Sequence, residues 1–294
     1  MVNPMALLEC DLGDVVLQAL TVGPEDGPLA LCLHGFPDTA HTFRHMSVHL
    51  AQRGYRVVAP FMRGYAPSSV SARNDYHIAT LALDAIRLHD MLHGDERAVL
   101  IGHDWGAAAA YAASSAEPSR WYRVVTMALP PLALVATALS DFDQLRQSWY
   151  MFYFQHPHAE AVVRQNRLTF LARLWSEWSP GYDAAGDLAL VREALETPEH
   201  LRAAIGYYRA MFEATDRLKP AAVTITASMF DAPVVPVMYL HGELDGCVRA
   251  DRLDTPLAYL APGSRFELVA HAGHFVHLER PAVVHALIDQ FLGD

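Results

Sequence analysis

One pentapeptide, Gly102-His103-Asp104-Trp105-Gly106, constrains the fold of this chain more than any other stretch. The apolar run Ala98-Val99-Leu100-Ile101 precedes it and the Ala-rich run Ala107 to Ala113 follows. The pattern reads as strand, sharp turn, helix, with a polar side chain lifted at the apex. The apex of such an elbow usually carries serine; here it carries Asp104. A serine hydroxyl must lose a proton to a base before it attacks. An aspartate, with a reference pKa of about 3.9, is ionised already at neutral pH. A carboxylate is a poor nucleophile toward amides and a fair one toward a strained or activated sp3 carbon. The plain alternative is an N-cap, since Asp is common at helix starts.

The rest of the chain supplies the sheet that such an elbow needs. Leu7 to Asp11 and Val15 to Val22 read as opening strands with a turn at Gly13-Asp14. Leu29 to Leu33 is continuously apolar, as in a strand buried on both faces. Tyr55 to Ala59, Arg123 to Ala128, Val234 to Leu240 and Arg265 to Val269 continue the series. Helical patterns fall between them near Thr39 to Arg53 and Ile78 to His93, and Val283 to Leu292 should close the chain. Strands alternating with helices predict an α/β fold, a parallel sheet covered on both faces. Residues 132–232 break the alternation, with apolar and aromatic residues at helical spacings and turn signals at Ser179-Pro180-Gly181 and Thr197-Pro198. This segment reads as a helical cap inserted into a core made of residues 1–131 and 233–294.

Composition removes several function classes. A net charge of −11 argues against a nucleic-acid partner. No run reaches the roughly 18 apolar residues of a membrane span. The best stretch, Met127 to Leu139, is interrupted by Pro130 and Pro131. Met1-Val2-Asn3-Pro4 lacks the basic and apolar regions of a secretory leader. Cys10, Cys32 and Cys247 are sparse and odd in number, which suits free thiols in a reducing, cytoplasmic setting.

Three further motifs follow in the chain order that an elbow nucleophile requires. His34-Gly35-Phe36-Pro37 comes directly after a buried strand, where a loop can supply one backbone N–H of an oxyanion hole. Phe36 and Trp105 are the expected donors. The Phe36-Pro37 bond is a candidate for the cis form, which would aim the Phe36 N–H inward. Asp245, in the loop after Leu240, can orient a histidine, with Glu243 as the rival acid in the same loop. His274, behind Gly273, suits base chemistry near neutral pH. His271 and His277 lie three residues either side, so a metal set is the competing interpretation, disfavoured because helical spacing is not expected straight after a strand. His41, His45 and His49, like His89 and His93, share helix faces at four-residue spacing and read as solvated faces.

With these motifs in place, the sequence resembles the epoxide hydrolases of the α/β-hydrolase superfamily over nearly its whole length. Arg63-Gly64-Tyr65 and two cap segments, Trp149 to Gln155 and Tyr207-Tyr208-Arg209, add to the resemblance. It implies an α/β-hydrolase core with a mostly parallel eight-stranded sheet, helices on both faces and an inserted α-helical cap. It further implies that Asp104 opens an epoxide to form a covalent ester. Water activated by His274 and Asp245 then cleaves that ester to a vicinal diol. Tyr150 and Tyr208 would hydrogen-bond the ring oxygen. Tyr153 and Tyr207 are the register alternatives, otherwise packing aromatics. His34, Pro37, Trp105, Tyr153 and Tyr207 would contact substrate. No cofactor and no metal are implied. The expected partners are a lipophilic epoxide and water, and a homodimer stays open. Two positions depart from the family pattern: Phe61 stands where an acid is frequent and Ala66 where glycine is common, which bears on pocket-floor packing. The rival chemistry is haloalkane or haloacid dehalogenation through the same aspartate. A rival of another class is a ligand-binding sensor on a hydrolase scaffold.

Overall fold

The structure, a computed structural model, describes residues 5–138, 140–213, 218–252 and 255–293. The Met1-Val2-Asn3-Pro4 opening, residues 139 and 214–217 of the expected cap, and residues 253–254 and 294 of the expected core lie outside that description.

Eight strands build one sheet: β1 (Ala6–Asp11), β2 (Val16–Val22), β3 (Leu29–Leu33), β4 (Arg56–Pro60), β5 (Val99–His103), β6 (Arg123–Met127), β7 (Val237–Gly242) and β8 (Arg265–Val269). Their order across the sheet is β1-β2-β4-β3-β5-β6-β7-β8. β1 and β2 pair antiparallel, as do β2 and β4, and every other pairing is parallel. Every residue of β3, β5 and β7 is buried, which explains their unbroken apolar runs. β7 starts at Val237 and not at Val234 because Pro236 has no N–H to give the ladder.

Helices α1 (Arg44–Gln52), α2 (Ile78–Met91) and α3 (Trp105–Ala116) connect the first strands. The helix expected from Thr39 is split: a 3-10 turn over Ala40–Phe43 precedes α1, and the Thr39 hydroxyl caps the His41 N–H at 3.3 Å. Between β6 and β7 lie α4 (Leu132–Ala138), α5 (Phe142–Gln147), α6 (Trp149–Tyr153), α7 (Ala159–Val163), α8 (Gln165–Trp178), α9 (Ala185–Ala194), α10 (Pro198–Ala210) and α11 (Pro220–Thr226). The short α12 (Val276–Glu279) and the long α13 (Pro281–Gly293) end the chain. Among the described residues, no helix is long and apolar enough to cross a membrane.

The helical insertion is tied to the sheet layer by buried polar contacts. Trp175 donates its indole N–H to the Pro37 carbonyl at 2.8 Å. Tyr207 donates its hydroxyl to the Arg63 carbonyl at 2.9 Å. Arg63 is itself fully buried, with its guanidinium held on both oxygens of Asp84 at 2.6 and 2.7 Å. A buried guanidinium is stable only with such paired acceptors. Arg44 reaches Asp187 at 2.6 Å on the other side of the insertion.

Candidate active site

Asp104 sits where β5 turns into α3, with φ 51° and ψ −116°. This is a sparsely populated conformation for a side chain-bearing residue, held because the surroundings over-determine it. The two flanking glycines make the turn possible. A Cβ on Gly106 would fall 1.9 Å from the Leu33 carbonyl oxygen, and one on Gly102 would fall 2.2 Å from that of Gly106. The elbow is thus pressed against the end of β3, and the loop after β3 reaches the nucleophile. Phe36 donates its N–H to Asp104 Oδ1 at 2.8 Å, across a loop whose Phe36-Pro37 bond is cis. Trp105 opens α3, where a main-chain N–H has no intrahelical acceptor.

The acid and base arrive from the ends of β7 and β8. His274 Nδ1 lies 3.0 Å from Asp245 Oδ2, and His274 Nε2 lies 3.7 Å from Asp104 Oδ2. Asp245 Oδ1 accepts the N–H groups of Cys247 at 2.7 Å and Val248 at 3.0 Å, so the turn aims the carboxylate. The His274 N–H donates to the Trp178 carbonyl at 3.0 Å, which fixes the base from the insertion side. Glu243, the rival acid, instead accepts the His271 N–H at 3.1 Å. His271 is exposed and His277 turns to Thr42, so the histidines at 271, 274 and 277 do not converge.

Electrostatics couple the three groups. Burial opposes a charge on His274, but the carboxylates of Asp245 and Asp104 outweigh it and hold the imidazole up to about 10. Burial pushes the Asp245 carboxyl up, and the His274 charge beside it wins and holds it below the usual range. These are the two halves of one buried ion pair.

Above Asp104 is a cleft of roughly 690 Å³ counted out to its mouth. Its walls include Trp105, Leu129, Leu132, Val135, Met151, Tyr150, Tyr208, Met211 and Cys247. Tyr150 and Tyr208 are both buried, and their rings meet edge to face at 5.5 Å. Burial raises both phenols well above their ordinary range, so they stay protonated donors. The Tyr208 hydroxyl has no hydrogen-bond partner within the protein, and the Tyr150 hydroxyl lies 3.3 Å from Cys247 Sγ.

The neighbouring tyrosines are engaged elsewhere. Tyr207 is spent on the Arg63 carbonyl and stacks on Tyr76. Tyr153 stacks on His156 and Phe170. His34 and Pro37 also serve the loop. His34 Nε2 accepts the Met62 N–H at 2.9 Å and its Nδ1 lies 2.9 Å from the Gly35 carbonyl, leaving no ring nitrogen for a ligand. The sequence marked Cys247 only as a free thiol and Trp178 only as a cap aromatic, not as neighbours of the catalytic groups. Cys247 could have been found by its place two residues beyond Asp245 in a turn, whereas a backbone carbonyl such as that of Trp178 leaves no sequence signal.

Comparison with known proteins identifies the family of the fold. The family model for the alpha/beta hydrolase fold matches residues 28–281, and the chain belongs to that family. Among curated relatives, it is 31% identical over 282 residues to the AB hydrolase superfamily protein YfhM of Bacillus subtilis, covering 95% of this chain and 94% of that protein. It is 28% identical to epoxide hydrolase A of Mycobacterium tuberculosis, covering 96% and 95% of the two chains. Among solved structures, epoxide hydrolase A of Mycobacterium thermoresistibile superposes with a TM-score of 0.79 at 25% identity, over 98% of each chain. The Bacillus megaterium epoxide hydrolase bound to an inhibitor gives 0.82 at 24% identity, over 98% of this chain and 100% of that one, a likeness of fold.

Proposed function

We propose that this chain is an epoxide hydrolase that forms a covalent ester on Asp104. The observation that carries the reading is the division of labour between the two Asp104 oxygens. Oδ1 is held by the Phe36 N–H, while Oδ2 faces His274 in a cleft roofed by Tyr150 and Tyr208. The names of the relatives support the substrate class.

In this mechanism Oδ2 attacks one epoxide carbon, an Oδ2–C bond forms, and the ring C–O bond breaks. Tyr150 and Tyr208 hydrogen-bond the departing oxygen, which would otherwise leave as a bare alkoxide in an apolar cleft. His274 Nε2 then takes a proton from water, and the resulting hydroxide attacks Asp104 Cγ. The negative charge collects on Oδ1, against the N–H groups of Phe36 and Trp105. Cγ–Oδ2 cleavage, with the proton of the added hydroxyl passed to the leaving oxygen, restores the Asp104 carboxylate and releases the vicinal diol. Ester formation also prepares the base. Two carboxylates hold His274 protonated in the resting enzyme. Esterification neutralises one of them, so the imidazole gives up its proton, which goes to the ring alkoxide to complete the alcohol, and is free to act as the base when hydrolysis needs it.

Leu129, Leu132, Val135, Met151 and Met211 make the cleft walls apolar and suit a lipophilic epoxide. Residues 132–232 would serve as the cap and residues 1–131 and 233–294 as the core. Three buried free cysteines fit the reducing cytoplasm. Styrene-type, alkyl and fatty-acyl epoxides assayed for diol test the activity. Release of halide from haloalkanes without diol formation from any epoxide would replace this reading with dehalogenation.

A further inference from the structure

Apart from the residues that line the cleft, three polar side chains converge. Asp38 follows Phe36 by two residues, His103 immediately precedes Asp104, and His277 follows His274 by three. All three are at least 98% buried. Asp38 Oδ2, His103 Nδ1 and His277 Nδ1 have no hydrogen-bond partner in the protein. One ligand atom from each lies within 4.8 Å of the others, with His103 Nδ1 4.0 Å from Asp38 Oδ2. Unpartnered buried polar atoms are rare and costly, and three on one buried cluster require an account.

The hydrogen bonds on the far sides of these groups fix what the inward atoms offer. His103 Nε2 lies 3.0 Å from the His274 carbonyl, which can only accept, so Nε2 carries the proton and the neutral ring turns its lone pair inward at Nδ1. His277 Nε2 lies 2.6 Å from Thr42 Oγ1. Burial pushes the Asp38 carboxyl up to about 7; where it is ionised it is a pure acceptor that can take the Thr42 proton, and the Thr42 oxygen then accepts from His277 Nε2. In that arrangement His277 also turns a lone pair inward. Asp38 Oδ1 is occupied by the Thr39 N–H at 2.8 Å, and Oδ2 is left over. With Asp38 ionised, the spot is ringed by three acceptors and no donor. One water can donate only two hydrogens, whereas a cation serves all three.

We propose that Asp38, His103 and His277 form a binding site for a single divalent transition-metal ion of the zinc or cobalt type. Two imidazole nitrogens and a carboxylate are the donor set such ions favour. Each imidazole already donates its other N–H to a protein oxygen, the outer arrangement that orients metal-bound histidines. Bonds of about 2.0–2.2 Å bring tetrahedral ligands to roughly 3.4 Å of one another, so the pair at 4.0 Å must close by about half an ångström. The ion would be a positioning element. It ties together the three loops that carry the oxyanion donor, the nucleophile and the base, each through a ligand at most three residues away, and it touches no substrate.

The test is titration of the chelator-stripped, full-length protein with Co2+, followed by displacement with Zn2+. One equivalent should bind with visible absorption of the tetrahedral type and without a sulfur-to-cobalt charge-transfer band. Thr42→Val, nearly isosteric, should weaken binding about 10–100-fold by removing the His277 hydrogen-bond partner. His277→Gln should weaken it further, and if that variant does not fold, Thr42→Val alone decides. Asp245, Cys247 and His274 form the other convergent set, so Cys247→Ser is the control and should bind as the parent does. No stoichiometric binding, a charge-transfer band lost in Cys247→Ser, or unchanged affinity in Thr42→Val would each overturn the proposal. The readout is absorption, so it stands or falls apart from epoxide turnover.

Discussion

The sheet layer and the helical insertion hold their functional groups in different ways. Asp104, Asp245 and His274 sit at the ends of β5, β7 and β8 and are aimed by backbone hydrogen bonds from Phe36, Cys247, Val248 and Trp178. Tyr150 and Tyr208 are placed by ring contacts with each other, Phe36, Phe154, Trp105 and Trp178, and their hydroxyls are left with a thiol or nothing. Directed bonds fix the groups that make and break covalent bonds. Apolar packing fixes the bodies of the donors and leaves their polar tips for the ligand. A hydroxyl already bonded within the protein, like that of Tyr207, has no such reserve.

Substitutions can break this contrast, and the largest effect should come from the sheet side. Asp104→Ala should reduce diol formation by about 10⁴-fold or more, the scale seen when a covalent nucleophile is removed. His274→Gln should stop turnover at the ester, seen by intact-protein mass spectrometry as a gain of one epoxide mass. Absence of any adduct with a reactive epoxide would remove His274 from the hydrolytic step. On the cap side, Tyr150→Phe and Tyr208→Phe should each slow ester formation by about 10²–10³-fold. Neither should slow hydrolysis of a preformed ester, and single-turnover kinetics separates the two steps. Equal losses in both steps would mean that the phenols shape the site without assisting the leaving oxygen. Tyr207→Phe should leave ring opening nearly intact and cost about 1 kcal/mol of stability for the lost bond to the Arg63 carbonyl, measured by denaturant unfolding.

The remaining test concerns pH. His274 is raised from 6.5 to about 10 in the folded chain. A group raised on folding stabilises fully below its unfolded value and loses that contribution as pH climbs through its folded value. The thermal midpoint should therefore decline between about pH 6.5 and pH 10. Asp104→Asn, which removes one of the two carboxylates, should shift the end of that decline to lower pH.

The sheet was legible because its central strands are buried on both faces and read as uninterrupted apolar runs, as in Leu29–Leu33 and the Val99 to Ile101 part of β5. The elbow was legible because a sharp strand-to-helix turn demands glycine at fixed places. Other features were not. Glu243 and Asp245 are two residues apart in one loop, and nothing in their spacing says that one accepts a backbone N–H from His271 while the other meets His274. Tyr207 and Tyr208 are adjacent on α10 and both buried. Which one faces the cleft depends on how α10 lies across the Arg63 loop, a packing outcome that helical periodicity does not encode. The same holds for His34, whose two ring nitrogens are claimed by backbone groups 28 residues and one residue away.

The unequal surroundings of the two Asp104 oxygens give this carboxylate a memory. Under the proposed mechanism the atom facing His274 departs inside each product molecule and is renewed from solvent, while the atom pinned by Phe36 stays for the lifetime of the protein. Enzyme cycling in heavy-oxygen water should thus acquire one isotopic label at residue 104 and never a second.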